Sequence, residues 1–189
     1  MEEAALIRRA QEGDLAAFET LVAAHKDYVF NIAYSMTGNY HDANDMAQEA
    51  FIKAFRAIKK FNVKSNFSTW MYRITMNACL DELRRQKRKA ANNVSIDAED
   101  DEHSRMDLAS SLPTPEQAYE KSEVRRAVTA AIQKLPDKHK RMIILRDING
   151  FSYDQIARLE QCSVGTVKSR ISRARQHLKE ILVKNKELF

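Results

Sequence analysis

The residues of this chain best suited to binding a ligand lie at positions 164–175, in the segment VGTVKSRISRAR. Four of its residues are basic and none is acidic. Such side chains bind the phosphates of a polyanion, and arginine also forms paired hydrogen bonds with the edge of guanine. Small residues between them allow close approach to a groove. The candidate DNA-binding residues of the segment are Gly165, Thr166, Lys168, Ser169, Arg170, Ser172, Arg173 and Arg175.

An apolar pattern in the same segment predicts a helix with one buried face. At 100° per residue, five apolar residues with alternating spacings of three and four share that face. They are Val164, Val167, Ile171, Ala174 and Leu178. Arg173 falls opposite this face, whereas Lys168, Arg170 and Arg175 lie nearer its flanks, where phosphate contacts are expected. A solvated basic helix is the simpler interpretation, but such a helix more often carries long charged side chains than small ones.

The residues before this helix predict a second, shorter helix. Ser152 and Gln155 have the spacing of a capping box, which marks a helix start. Only a tight turn fits at residues 160–162, and Ser163 is expected to cap the basic helix. A helix, a tight turn and a basic helix form a helix-turn-helix, whose second helix enters the major groove of DNA.

Composition predicts an all-α fold in which an acidic flexible linker joins two small helical domains. The 189 residues include only 4 glycines and 3 prolines, and no alternating run of valine and threonine. Residues 92–117 hold 1 Lys or Arg against 7 Asp or Glu, whereas residues 118–189 hold 16 against 8. We therefore predict a domain at 1–91, the linker at 92–117 and a nucleic-acid-binding domain at 118–189.

Several function classes are disfavoured. No apolar run is long enough to span a membrane and the N-terminus lacks a signal-peptide core, so we expect a cytoplasmic protein without direct membrane insertion. Cys79 and Cys162 are predicted to be reduced thiols, because no C-x-x-C or Cys/His cluster is present. Motifs for nucleotide binding or metal-dependent hydrolysis are missing. We predict no enzyme activity, small-molecule substrate, cofactor or metal.

Six helices are expected besides the helix-turn-helix pair. Their predicted ranges are 3–11, 15–36, 42–58, 65–89, 115–134 and 137–147. Gly38 is expected to end the second helix. Leu15 and Phe55 are expected in the core, as members of the apolar stripes of the second and third helices.

The third helix carries an apolar residue on its charged side. Ile52 lies opposite the alanine-rich face, among charged residues. An ordinary exposed isoleucine explains this pattern, and so does a protein-docking surface with Ile52 as its anchor. The candidate docking residues are Asp45, Gln48, Glu49, Ile52 and Arg56.

The fourth segment combines an apolar stripe with polar and aromatic residues elsewhere. Phe67, Trp70 and Met71 belong to the predicted core stripe, whereas Tyr72 and Arg73 are expected on other faces. Asn77, a polar loop at 62–66 and a basic end at 84–89 accompany them. This mixture suits contact with unpaired bases and phosphates of single-stranded DNA.

Three segments in this order resemble bacterial extracytoplasmic-function (ECF) sigma factors of the sigma-70 family, which direct RNA polymerase to promoters. They are DANDMAQEAFIKAF, FSTWMYRITMNACLDELRR and LPDKHKRMIILRDINGFSYDQIARLEQCSVGTVKSRISRARQHL. With the leading helices, the resemblance covers nearly all of the chain except the acidic segment.

The resemblance implies a role for each part. The helix at 45–56 would dock on a coiled coil of the largest subunit of core RNA polymerase, and an anti-sigma factor is a further expected partner. The C-terminal domain would read the −35 promoter element as duplex, with bases contacted by Ser169, Ser172 and Arg173. The loop and fourth helix would recognise and open the −10 element. The residues expected at the −10 element are Phe61, Asn62, Lys64, Ser65, Asn66, Tyr72, Arg73, Asn77, Arg84, Arg85 and Arg88.

Two other functions remain open on the sequence alone. A stand-alone helix-turn-helix regulator would need a dimer helix or an effector pocket, and it would bind duplex DNA tightly without polymerase. A DNA-processing enzyme would need a catalytic carboxylate or metal motif, and we find none. Promoter-directed transcription with core polymerase separates these alternatives.

Overall fold

The computed structural model of the chain describes residues 3–92, 124 and 126–184, and all regular structure among them is helical. The chain divides into two compact units, Met1–His103 and Ser104–Phe189. The predicted all-α fold with two helical domains is confirmed. The predicted acidic linker lies outside the described residues from position 93 onward.

The described part of the N-terminal unit contains four α-helices and one 3-10 turn. They are α1 (Glu3–Gln11), α2 (Leu15–Thr37), α3 (Tyr40–Ala57), the 3-10 turn (Ile58–Lys60) and α4 (Phe67–Asn92).

Helix ends in this unit follow from local sequence. Asp14 and Asn39 cap α2 and α3 because their side chains accept hydrogen bonds from Ala17 N and Asp42 N, each at 3.1 Å. Gly38 ends α2 in the left-handed region, at φ 74°. This is the stop that the sequence predicted.

The core of the N-terminal unit is built around the small side of α3. Four alanines along this helix are buried: Ala43, Ala47, Ala50 and Ala54. Small side chains let neighbouring helices approach closely. Residues of α1, α2, α3 and α4 and of the turn before α4 form one apolar cluster, which includes Ile7, Leu21, Val29, Ile58 and Met71.

Three predictions of burial in this unit are wrong. Leu15 is 55% exposed and Phe55 is 48% exposed, although both were expected in the core. Leu15 is the first residue of α2, and Phe55 lies at the edge of the close alanine contact, where its ring only meets Phe18 edge-on at 5.1 Å. Tyr72 was expected on an open face but is 2% exposed, because α2 and α3 both pack against α4.

The C-terminal unit contains α5, whose continuous described part is residues 126–133, followed by α6 (Asp137–Ile143). A π-helical turn, Ile144–Ile148, extends α6. The helix-turn-helix is formed by α7 (Tyr153–Leu159) and α8 (Val164–Lys184). Of the helix predicted at 115–134, the part before residue 124 lies outside the described residues.

A small apolar core joins these helices. It includes Ile132, Met142, Ile144, Ile156 and Ile171, all buried. Lys140 is also buried, and its Nζ donates to Gln133 Oε1 at 2.8 Å, which links α6 to α5. The buried ammonium group is therefore not left without a polar partner, as a buried charge requires.

Candidate nucleic-acid interface

Helix α8 has the two faces that its sequence predicts. Val167, Ile171 and Ala174 are buried, and Val164 and Leu178 at the two ends of the apolar face are half-buried. Thr166 is half-buried. The other candidate DNA-binding residues of α8 are all exposed: Gly165, Lys168, Ser169, Arg170, Ser172, Arg173 and Arg175.

The start of α8 is capped by its predicted residue. Ser163 Oγ accepts a hydrogen bond from Thr166 N at 3.1 Å and lies 2.9 Å from Thr166 Oγ1. Ser169 Oγ donates to Thr166 O at 2.9 Å. The hydroxyl of Ser169 keeps its acceptor capacity, so it can still receive a hydrogen bond from a base.

The capping box of α7 is also present. Ser152 Oγ accepts from Gln155 N at 3.2 Å, and Gln155 Oε1 accepts from Ser152 N at 2.8 Å. Gln161, in the turn between the two helices, has φ 50°. Few residues other than glycine adopt this left-handed conformation without cost, so the turn is held by its surroundings.

Polar contacts from α6 and its π turn reach both ends of α7. Arg141 forms an ion pair with Glu160 at the end of α7. Arg146 donates to Phe151 O at 2.8 Å, and its guanidinium lies 4.9 Å from the ring centre of Tyr153, at the start of α7. These contacts span 5 to 19 residues, and no pattern in the sequence predicted them.

Arg175 is bonded within the protein. Its Nη2 and Nε donate to the two oxygens of Asp147, at 2.5 and 3.2 Å. Hydrogen bonding to Asp147 and its negative charge raise the pKa of Arg175. Arg175 was expected at a phosphate, but in the structure its guanidinium bonds a carboxylate of the π turn.

Two histidines join α6 to α8. The Nδ1 atoms of His139 and His177 are 3.2 Å apart, so one ring can donate a hydrogen bond to the other. Partial burial lowers the pKa of His139, and the positive charges of His177, Lys138 and Arg173 lower it further. Protonation of His139, beside α8, is therefore less favourable than that of a histidine in water.

The loop before α4 is packed on an aromatic cluster. Phe61, Phe67 and Trp70 have ring centres 4.7–5.6 Å apart. Phe61 and Phe67 are buried and Trp70 is half-buried. Phe61 and Tyr72 were both predicted to contact the −10 element, and in this structure both rings are buried in the core.

The polar residues of this loop are exposed, as predicted, at Asn62, Lys64, Ser65 and Asn66. Asn62 Oδ1 accepts from Lys64 N at 3.0 Å, and Asn66 Oδ1 accepts from Thr69 N at 2.8 Å, which caps α4. Gln11 of α1 donates its amide to Ile58 O at 2.9 Å and to Phe61 O at 2.7 Å. The loop is therefore fixed at both ends, with its polar side chains outward.

Helix α4 continues this polar surface. Arg73, Asn77, Arg84 and Arg88 are exposed, and their spacing places them on one side of the helix. Arg85 is also exposed, but it donates to Glu82 at 2.7 and 2.9 Å. That bond lowers the pKa of the Glu82 carboxyl. The candidate −10 residues thus form a polar loop followed by a basic stripe.

Helix α3 exposes the predicted docking residues. Asp45, Gln48 and Arg56 are exposed, Ile52 is 45% exposed, and Glu49 lies 3.4 Å from Lys53. Phe55, one turn from Ile52, joins this surface, although it was expected in the core. Nothing in the spacing of the apolar residues of this helix distinguishes Phe55 from the residues that are buried.

The described residues give no sign of other chemistry. They contain no group of three or more His, Cys, Asp or Glu residues placed to hold a metal ion. Cys79 and Cys162 are free thiols, and burial raises the pKa of Cys79 to about 12. Within the part of the chain that is described, no helix is both long and apolar enough to span a bilayer.

One unit carries a basic helix-turn-helix, and the other exposes a helix face with apolar and charged residues. Together these features are typical of a transcription factor that binds both DNA and protein. Sequence profiles of Sigma-70 region 2 and Sigma-70 region 4 match residues 21–89 and 125–178. The chain therefore belongs to the sigma-70 family.

Relatives narrow this assignment. The chain is 40% identical to the ECF RNA polymerase sigma-E factor of Haemophilus influenzae, over 93% of each protein. It is 38% identical to the RNA polymerase sigma-H factor of Pseudomonas aeruginosa, over 94% of this chain and 92% of that protein. The sigma factor RpoE of Bartonella quintana, solved in complex with the anti-sigma factor NepR, shows 25% identity and a TM-score of 0.68, over 87% of this chain and 96% of that chain. The protein is an ECF-type sigma factor for transcription initiation, as predicted, and a stand-alone regulator is not favoured.

Proposed function

We propose that this sigma factor reads the −35 element through the exposed face of α8. The observation that carries this assignment is a helix whose apolar face is buried while small and basic residues point outward. Arg173 lies opposite the buried face, and Ser169 and Ser172 beside it leave room for base edges. A guanidinium can bond the O6 and N7 atoms of guanine together. Lys168 and Arg170 are assigned to phosphates.

The loop and α4 are assigned to the −10 element. Asn62, Lys64, Ser65 and Asn66 form the exposed polar loop, and an unpaired base would rest among them. The stripe on α4 would bind the adjacent phosphates. That stripe comprises Arg73, Asn77, Arg84 and Arg88. The buried rings of Phe61 and Tyr72 are left out of this surface and instead hold the loop in shape.

Core polymerase is assigned to α3. Ile52 and Phe55 provide an exposed apolar centre, and charged residues surround it. An apolar anchor with a charged rim is the usual anatomy of a protein interface. The same surface is available to an anti-sigma factor, and competition between the two would control activity. Such a factor acts in the cytoplasm, where the polymerase is, and has no catalytic role of its own.

Reconstitution with purified core polymerase tests this function. The holoenzyme is expected to enrich related −35 and −10 sequences from a randomised duplex library and to start transcription from them, whereas the free chain is not. Strong selection by the free chain alone would support a stand-alone regulator instead.

An Ile52→Asp variant tests the docking surface. It should weaken polymerase binding by about 1–4 kcal/mol, as at interface hot spots, because it places an unmatched charge at the anchor. Its thermal unfolding should match that of the wild type, since Ile52 is exposed. Lys59→Asp, also exposed in this unit but off α3, is the matched control and should bind normally. Wild-type affinity of Ile52→Asp would remove α3 as the docking site.

A further inference from the structure

Arg175 differs from the other basic residues of the recognition segment. It makes two hydrogen bonds with Asp147, whereas Arg170 approaches only Cys162 Sγ, at 3.9 Å. Among the residues that the structure describes, Lys168 and Arg173 form no ion pair. One of the four basic residues is thus already occupied, by a carboxylate that has the same paired geometry as a phosphate.

Asp147 lies on the π turn that ends α6, 28 residues before Arg175. Residues of α6 and of this turn also contact both ends of α7. Arg146 of the turn bonds Phe151 O just before α7 and lies over the ring of Tyr153 at its start, and Arg141 of α6 pairs with Glu160 at its end. The Asp147 contact with Arg175 also joins this segment to α8, about three turns after the first residue of that helix. The continuous segment formed by α6 and its π turn therefore contacts both helices of the helix-turn-helix.

Two polar contacts from α6 and its turn meet α8 on opposite flanks of its apolar face. Arg175 bonds Asp147 on one flank, and His177 bonds His139 on the other. Because successive residues advance by 100°, residues two apart on a helix lie on either side of a face centred between them. Rotation of α8 about its own axis in either direction would break one of the two contacts.

The apolar contact alone would restrict the rotation of α8 about its axis only weakly. Val167, Ile171 and Ala174 are held by burial, which has no direction and tolerates small rotations. A two-point guanidinium–carboxylate bond has a narrow geometry. The pair is also partly exposed, with 52% and 33% of the Arg175 and Asp147 side chains accessible, so it adds little to stability. Its effect is on orientation.

We propose that Asp147 and Arg175 are positioning residues, which set the rotation of α8 and thereby decide which base edges Ser169, Ser172 and Arg173 meet. This inference rests on the proposed reading of the −35 element by α8. It removes Arg175 from the phosphate contacts and makes Asp147 a determinant of specificity, although its side chain does not touch DNA.

The test uses full-length chain assembled with core polymerase, on duplex promoters that the wild-type holoenzyme has selected from a randomised library. Binding is measured for each single-base change in the −35 element and at several salt concentrations. The variants are Asp147→Asn, Arg175→Ala and the charge exchange of Asp147→Arg with Arg175→Asp. Lys168→Ala is the matched control for a phosphate contact.

Each single variant should lose about tenfold in discrimination between the preferred and changed elements, while its salt slope stays that of the wild type. The charge exchange should recover most of the discrimination, because it restores the pair in reverse. Lys168→Ala should instead keep discrimination and lower the salt slope by about 0.9, the value for one phosphate contact.

A phosphate role for Arg175 predicts the opposite pattern and would overturn the proposal. Asp147→Asn would then free the guanidinium, raising affinity for all sequences and steepening the salt slope. The charge exchange would be the weakest binder, because it places a carboxylate at the phosphate. If the exchange variant does not fold, the direction of the Asp147→Asn effect still decides. A wild-type holoenzyme that enriches no sequence would overturn the proposed function together with this inference.

Discussion

In the N-terminal unit, Phe61, Phe67 and Trp70 pack ring against ring beneath the loop that precedes α4. In the C-terminal unit, the helices of the DNA-binding pair are joined to α6 by Arg141, Arg146 and Arg175, each bonded to another segment. The first unit supports an exposed loop on a large apolar base. The second unit combines a small apolar core with directional polar contacts. Such contacts suit α8, because they restrict the orientation of a helix more narrowly than apolar burial does.

The largest effect on stability is expected from a charge placed in the smaller core, that of the C-terminal unit. Ile171→Asp should lower the free energy of unfolding of the C-terminal unit by roughly 4 kcal/mol or more, because it buries an unpaired carboxylate among few apolar neighbours. Chemical denaturation followed by circular dichroism measures it. Ser172→Asp adds the same charge at the adjacent exposed position and should leave stability nearly unchanged. Equal stability of the two variants would contradict the buried face of α8.

A second change removes a ring from the larger core. Phe67→Ala should destabilise the N-terminal unit by about 3–5 kcal/mol, the range for deleting a buried phenylalanine. Phe55→Ala is the matched control, because its ring is about half exposed and makes only an edge contact with Phe18. Thermal unfolding compares the two. If Phe55→Ala lost as much stability as Phe67→Ala, the result would show that Phe55 belongs to the core.

The third prediction separates function from stability within the C-terminal unit. Arg173→Ala should cost roughly 1–3 kcal/mol in −35 binding and relax preference at one base pair, with no change in unfolding. Lys168→Ala should weaken all sequences about equally. Holoenzyme binding curves on promoters changed base by base measure both. If Lys168→Ala loses base preference and Arg173→Ala retains it, the assigned orientation of α8 is wrong by about a quarter turn.

The smallest expected effect is on pH dependence. The lowered pKa of His139 means that the unfolded chain binds a proton at this site before the folded chain does. Stability of the C-terminal unit should therefore fall as pH drops below about 6.5, the ordinary value for histidine. His139→Gln should remove part of this slope, as seen in unfolding curves between pH 5 and 7.

Local patterns predicted more of this structure than long-range contacts did. The helix-turn-helix, its capping serines and the exposed face of α8 follow from residues within one or two turns of each other. Phe55 and Tyr72 were misplaced because burial at the edge of a face depends on which other helix covers it. The Asp147–Arg175 pair joins residues 28 positions apart, and no periodicity marks it. The site assignments stay predictions until they are measured.

The hydrogen bonds of Gln11 affect the order in which contacts between helices form during synthesis. Its amide bonds carbonyls 47 and 50 residues further along the chain, so α1 cannot complete its contacts until the segment at 58–61 has left the ribosome. At about 5–20 residues per second, the wait is roughly 2 to 10 seconds. During this time α1 can already pack against α2, its main partner in the finished bundle, but its hydrogen bonds to the segment at 58–61 cannot form. The first helix to be made therefore completes its polar contacts only after the next two helices have left the ribosome.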